Sequence, residues 1–219
     1  MRIGTIIPNL QGESDSGPHC LHELMKHDWT VFVTIPIASR DDSRNEVCAL
    51  GVCIEAEVQT GVSVVGVCDA TDLAGLGCDN QVSSIGSRNQ VAFWSCAEGG
   101  ESVDVGHHSR VFFSESFKKS KGVLIVGPDR RVHLSMSLPA CSTLNPLEIA
   151  RCLKALTVVH GKPLATPANW KFGEDLIVGT SLDDAAAERA YGPVRTVLSY
   201  LRYVTFPRHL ISSTNIDRE

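Results

Sequence analysis

No C-x-x-C pair occurs among the eight cysteines of this 219-residue chain, which leaves a zinc ribbon or a thioredoxin-type dithiol without support. No apolar run approaches the length of a membrane-spanning helix. No glycine-rich phosphate loop is present, because "GLGCDN" lacks both the lysine and a strand–helix context. Internal repeats and low-complexity tracts are absent too. The amino-terminal "MRIGTIIPNL" has neither an apolar signal core nor an Arg/Ser-rich presequence. A cytosolic address is therefore the default expectation, with a mitochondrial one as the alternative. The net charge of −5 is mild and argues against nucleic acid as the main partner.

What is present reads as an ordinary globular protein, with 43% hydrophobic and 21% charged residues. "WTVFVTIPI" is a nearly continuous β-branched run and predicts a central strand buried on both faces. In "SRNEVCALGVCIEAEVQTG" the apolar residues Val47, Leu50, Ile54 and Val58 fall at helical spacing. Ser43 and Glu46 have the S-x-x-E form of a capping box, and Gly61 is placed to end the helix. "VSVVGVCDA" predicts a second buried strand, so strand, helix and strand make a βαβ unit. Residues 71–120 give no clear pattern, apart from a loop with a weak strand over "SCAEGGESVDVGHHS". "KGVLIVGPDRRVHLSMS" then predicts a hairpin about the turn "GPDR". "NPLEIARCLKALTVVHG" predicts an amphipathic helix capped by Asn145, with Pro146 in its first turn and Gly161 beyond its end. This order matches the thioredoxin-like α/β fold over residues 1–160. Residues 161–219 change composition and form a small appendage, with a short acidic helix in "SLDDAAAERAYG" and a strand in "SYLRYVTF".

Several stretches together resemble the peroxiredoxin family, in its one-cysteine class with a C-terminal extension. They are "IGTIIPNLQ", "LHELMKHDWTVFVTIP", "GPDRRVHLSMSLPA", "LATPANWKFGEDLIV" and "SYLRYVTFP". The resemblance implies a thioredoxin-like domain followed by a small C-terminal peroxiredoxin domain, and a homodimer. It also implies peroxide reduction by a cysteine thiolate in the first turn of a helix. There the thiolate gains from the helix dipole and from backbone N–H groups. A threonine three residues earlier and a distant arginine assist it.

This sequence departs from that pattern at the positions that matter. The motif proline is kept as Pro36 and the following glutamate as Glu46, but Ser43 stands in the cysteine position and Arg40 in the threonine position. Lys121 replaces the arginine, Ile35 replaces a histidine, and Asp41 and Asp42 replace Pro and Val. A serine hydroxyl does not ionise near neutral pH without a base, and oxygen does not cycle through a sulfenic acid. Lysine keeps the charge but loses the bidentate fork. Ser43 then reads as a helix N-cap. A second activity of the resembled class is a hydrolase built on His, Ser and Asp. His22 and Asp129 match two of these positions, but Asp28 holds the serine position. The expectation is a catalytically inactive pseudoenzyme with a structural or scaffolding role, as a homodimer, a heteromer with a homologue or a subunit of a larger assembly. It has no intact catalytic residues, no cofactor and no metal. The alternative is a residual thiol peroxidase that uses another cysteine, such as Cys48. Cys48 and Cys53 sit among core-like neighbours, so buried thiols are the simpler expectation. The histidines of "HCLH" (His19, His22) and "GHH" (His107, His108) lack a partner cluster at a metal-binding spacing.

Overall fold

The computed structural model of the chain describes residues 1–14, 17–34, 40–58, 61–68, 90–96 and 120–207, without the side chains of 40–44, 90, 95 and 96. The chain divides into two compact units, residues 1–57 with 61–146 and residues 58–60 with 147–219.

The first unit is built on seven strands. These are β1 (Gln11–Ser14), β2 (Gly17–Cys20), β3 (Trp29–Thr34), β4 (Val62–Val67), β5 (Gln90–Cys96), β6 (Ser120–Val126) and β7 (Val132–Pro139). Helix α1 (Leu21–Leu24) follows β2, and α2 (Arg40–Glu57) joins β3 to β4. The sheet order is β2-β1-β5-β4-β3-β6-β7. β3, β4 and β5 run parallel, whereas β6 pairs antiparallel with β3 and β7 antiparallel with β6. The expected βαβ unit and hairpin are both there, giving the mixed α/β architecture of a thioredoxin-like fold. β3 and β4 are buried at every residue, as their unbroken apolar runs require.

Side chains alternate across a sheet, so each strand feeds two cores. On one face Phe32, Val65, Trp94, Leu124 and Val126 pack with Ile7, Leu21 and Leu24. On the other, Val31, Val33, Val64, Val123 and Ile125 are buried, and α2 packs over β4 and β5 with Val47, Leu50 and Ile54 buried. The helix comes close: a Cβ added at Gly51 would lie 2.5 Å from Val91 Cγ2. That distance decides the sign of a simple substitution. Gly51→Ala gains about 1 kcal/mol of helix propensity, but overpacking against a stiff β-branched neighbour costs about 1–3 kcal/mol. The variant is expected to be less stable than the wild type by urea unfolding, and a higher midpoint would show that the helix can move away.

Both ends of α2 differ from the sequence reading. Helix α2 starts at Arg40, so Ser43 is its fourth residue and not its N-cap. It stops at Glu57, four residues ahead of Gly61. The glycine there answers to a close approach, since a Cβ would meet the His27 ring at 2.5 Å. The weak strand sought at residues 95–109 lies almost wholly outside the described residues, but β5, just before it, was not foreseen, nor was the short β1–β2 hairpin.

The second unit contains α3 (Pro146–Val159), α4 (Asp184–Tyr191) and four short strands. The strands are β8 (Leu164–Ala165), β9 (Leu176–Val178), β10 (Val194–Leu198) and β11 (Leu201–Val204), in the order β10-β11-β9-β8. Sequence composition changes at residue 161, whereas the compact unit already takes in α3, because Ala155 and Val158 share a core with Leu164, Trp170, Leu176 and Val204. Ser199 and Tyr200, read as the start of a strand, form the turn between β10 and β11. Trp170 is fully buried, stacks on Phe206 with centroids 6.2 Å apart, and donates its indole N–H to the Glu174 carbonyl at 2.9 Å. Asp183 caps α4 through a 2.7 Å bond from the Ala186 N–H. Arg202, with its side chain 11% exposed, donates to the carbonyls of Gly179 and Leu182 and to the Asp184 carboxylate. Among the described residues, no helix is long and apolar enough to cross a membrane.

Candidate functional site

Helix α2 carries Arg40, Asp41, Asp42 and Ser43 in its first four positions. Their side chains, and residues 35–39 with Pro36, lie outside the described residues. Glu46, on the next turn, is the first described side chain of this helix that reaches toward the sheet. Its partner comes from β6. Lys121 shares a sheet face with Val123 and Ile125 by the two-residue period, which is the face that α2 covers. Lys121 Nζ donates to both Glu46 oxygens, at 2.8 and 2.9 Å. The lysine side chain is 3% exposed and the glutamate 14%.

This pair reassigns two residues. Glu46, which the S-x-x-E spacing suggested as the partner in a capping box, crosses to the sheet. Lys121 does not present an uncommitted charge, because a buried ammonium is tolerated when a carboxylate neutralises it and takes its N–H bonds. Next to it, the buried Thr34 closes the end of β3. Its Oγ1 accepts the Gly122 N–H at 2.6 Å, so a hydroxyl continues the ladder one step past the Val33–Val123 pair. Among the described side chains at this corner of the sheet, Lys121, Glu46 and Thr34 each satisfy a buried polar group.

Of the three residues matched to a hydrolase site, His22 and Asp129 make contacts with other groups. His22 Nε2 donates to the Ile7 carbonyl at 2.9 Å, while the Arg130 guanidinium donates to Nδ1 at 3.0 Å. A carbonyl needs a donor and a guanidinium needs an acceptor, so the pair of partners places the ring proton on Nε2 and occupies the Nδ1 lone pair. Arg130 sits at φ 57°, a left-handed conformation rare for a residue with a Cβ. Asp129 lies next to it in the turn, where its Oδ1 accepts the Arg131 N–H at 3.1 Å and faces His133 Nε2 at 3.0 Å. His22 and Asp129 thus turn to different partners, and Asp28 is exposed ahead of β3. His107 and His108 lie outside the described residues.

Six cysteine side chains are described, those of Cys20, Cys48, Cys53, Cys68, Cys141 and Cys152, and all carry reduced sulfur. Cys48 and Cys53 are partly buried on α2, and Cys68 is buried with its Sγ 3.6 Å from the Trp94 carbonyl. In the second unit, burial and a 3.4 Å contact to Glu148 Oε1 push the Cys152 thiol up from its ordinary range. Arg151 bonds Glu148 twice at 2.8 Å and also reaches the Cys152 sulfur at 3.5 Å, which opposes the upward shift without cancelling it. That environment favours the thiol over the nucleophilic thiolate.

Resemblance supplied the names Glu46 and Lys121 but not their pairing, because 75 residues separate them. The roles of Thr34 and Arg130 had no sequence signal: one is a hydroxyl inside an apolar run, the other an arginine in a turn.

No family model matches the chain. Among curated proteins it is 25% identical over 204 residues to "1-Cys peroxiredoxin A" of Oryza sativa subsp. japonica, covering 87% of this chain and 89% of the relative. It is 34% identical over 92 residues to "1-Cys peroxiredoxin" of Dirofilaria immitis, covering 39% of each. Among solved structures, a cysteine-to-serine mutant of peroxiredoxin 6 from Arenicola marina superposes with a TM-score of 0.73 at 21% identity, covering 95% of this chain and 99% of that one. The yeast mitochondrial 1-Cys peroxiredoxin gives a TM-score of 0.72 at 16% identity, covering 94% and 99%.

Proposed function

We propose that this chain, a member of the peroxiredoxin family in its one-cysteine class, does not turn over peroxide and serves as a structural or scaffolding subunit. One observation carries the reading: the Lys121 ammonium, which stands where the resembled pattern has an arginine, is buried against the Glu46 carboxylate. A thiolate or a peroxide oxygen in such a pocket would compete with a carboxylate already in bidentate contact. Ser43 removes the sulfur as well. The test is stopped-flow consumption of hydrogen peroxide by the reduced protein, with mass mapping of every cysteine. The expected result is that no cysteine oxidises faster than a free thiol. One cysteine reacting orders of magnitude faster would replace this reading with its alternative, a thiol peroxidase relocated to a residue such as the partly buried Cys48.

The partner we propose first is a second copy of the chain. β7 is one of the two edge strands of the seven-stranded sheet and the longest of the described strands. Its outer edge bonds to the amino-terminal segment at Val132, through Gly4 and Thr5. The rest, "HLSMSLP", carries no lysine, arginine or acid that would discourage edge-to-edge pairing. Other edges are short or interrupted: β2 has four residues and contains Pro18, and β10 follows Pro193 and contains a bulge, whereas the proline of β7, Pro139, is its last residue. Antiparallel pairing of two β7 strands would join two sheets about a two-fold axis. Light scattering is expected to give a dimer mass for the wild type and a monomer mass for Met136→Lys with unchanged circular dichroism. A monomeric wild type, or a dimeric variant, would remove β7 as the interface. The cytosol is the address we assign to it.

A further inference from the structure

We draw no further inference here: the strongest candidate, the exposed apolar edge of the C-terminal sheet at Val197, Leu198 and Tyr200 beside the open depression lined by Asp175, Arg195 and Tyr203, carries nothing, because nothing in the structure shows what covers it.

Discussion

Replacing Lys121 with methionine is expected to destabilise the protein by about 3–5 kcal/mol, because it strands the Glu46 carboxylate in a buried setting without its partner. Replacing both residues, as in Lys121→Met with Glu46→Leu, is expected to recover most of that loss. The large figure for the single variant is the cost of an uncompensated charge, not the net worth of the pair, and a well-packed apolar pair often equals or exceeds a buried ion pair. Urea unfolding of the wild type, both single variants and the double variant closes the cycle. A single variant within about 1 kcal/mol of the wild type would mean that Glu46 finds water or another donor when Lys121 is gone. A double variant no better than the single would point instead to lost packing. The cycle also bears on function. Should the pair be purely architectural, the rescued double variant would keep the oligomeric state of the wild type.

The second large effect is expected in the C-terminal unit. Trp170→Ala removes a fully buried indole from the cluster with Phe172 and Phe206, and a cavity of that origin costs about 3–5 kcal/mol. It also orphans the Glu174 carbonyl that accepts the indole N–H. Four strands, two of them only two or three residues long, offer little to absorb such a loss. Amide exchange by mass spectrometry is the appropriate readout, since the effect is local. Protection should fall across β8 to β11 and α4 and persist in β3, β4 and β6. A uniform loss across the whole chain would show that the two units unfold as one. Unchanged protection in β9 and β11 would show that Trp170 is not the centre of that core.

The parts of the fold legible in the sequence are those in which one physical signal dominates. β3 and β4 announce themselves as unbroken β-branched runs, since a strand covered on both faces has no polar side. Helix α3 is bracketed by Asn145-Pro146 and Gly161, and Gly161 does adopt φ 70°. The elements that escaped lack such a signal. β1 and β2 are four residues each, with Pro18 and Gly17 in the second. β10 is exposed on both faces, so its burial does not alternate. Interactions at a distance were the least legible. The S-x-x-E spacing is a genuine local signal for a capping box, and it lost to a tertiary partner. A buried lysine on β6 has greater need of a carboxylate than an N-terminal amide that water can reach. The positions matched to catalytic sites were legible by resemblance alone. Nothing in composition or spacing sets Arg40, Ser43 or Asp28 apart.

The Arg202 guanidinium has a mechanical consequence. Its planar fork grips two loop carbonyls and the first turn of α4 from a strand 18 to 23 residues further along the chain. Three chain segments are thereby riveted by one side chain, and none of them can lift away while the others stay seated. The 179–184 stretch is the kind of glycine-containing loop that a protease ordinarily finds first, but here it is the hub of the hairpin and helix around it. Opening it requires the Arg202 side chain to give up these bonds, so the loop is tied to the strand that carries it.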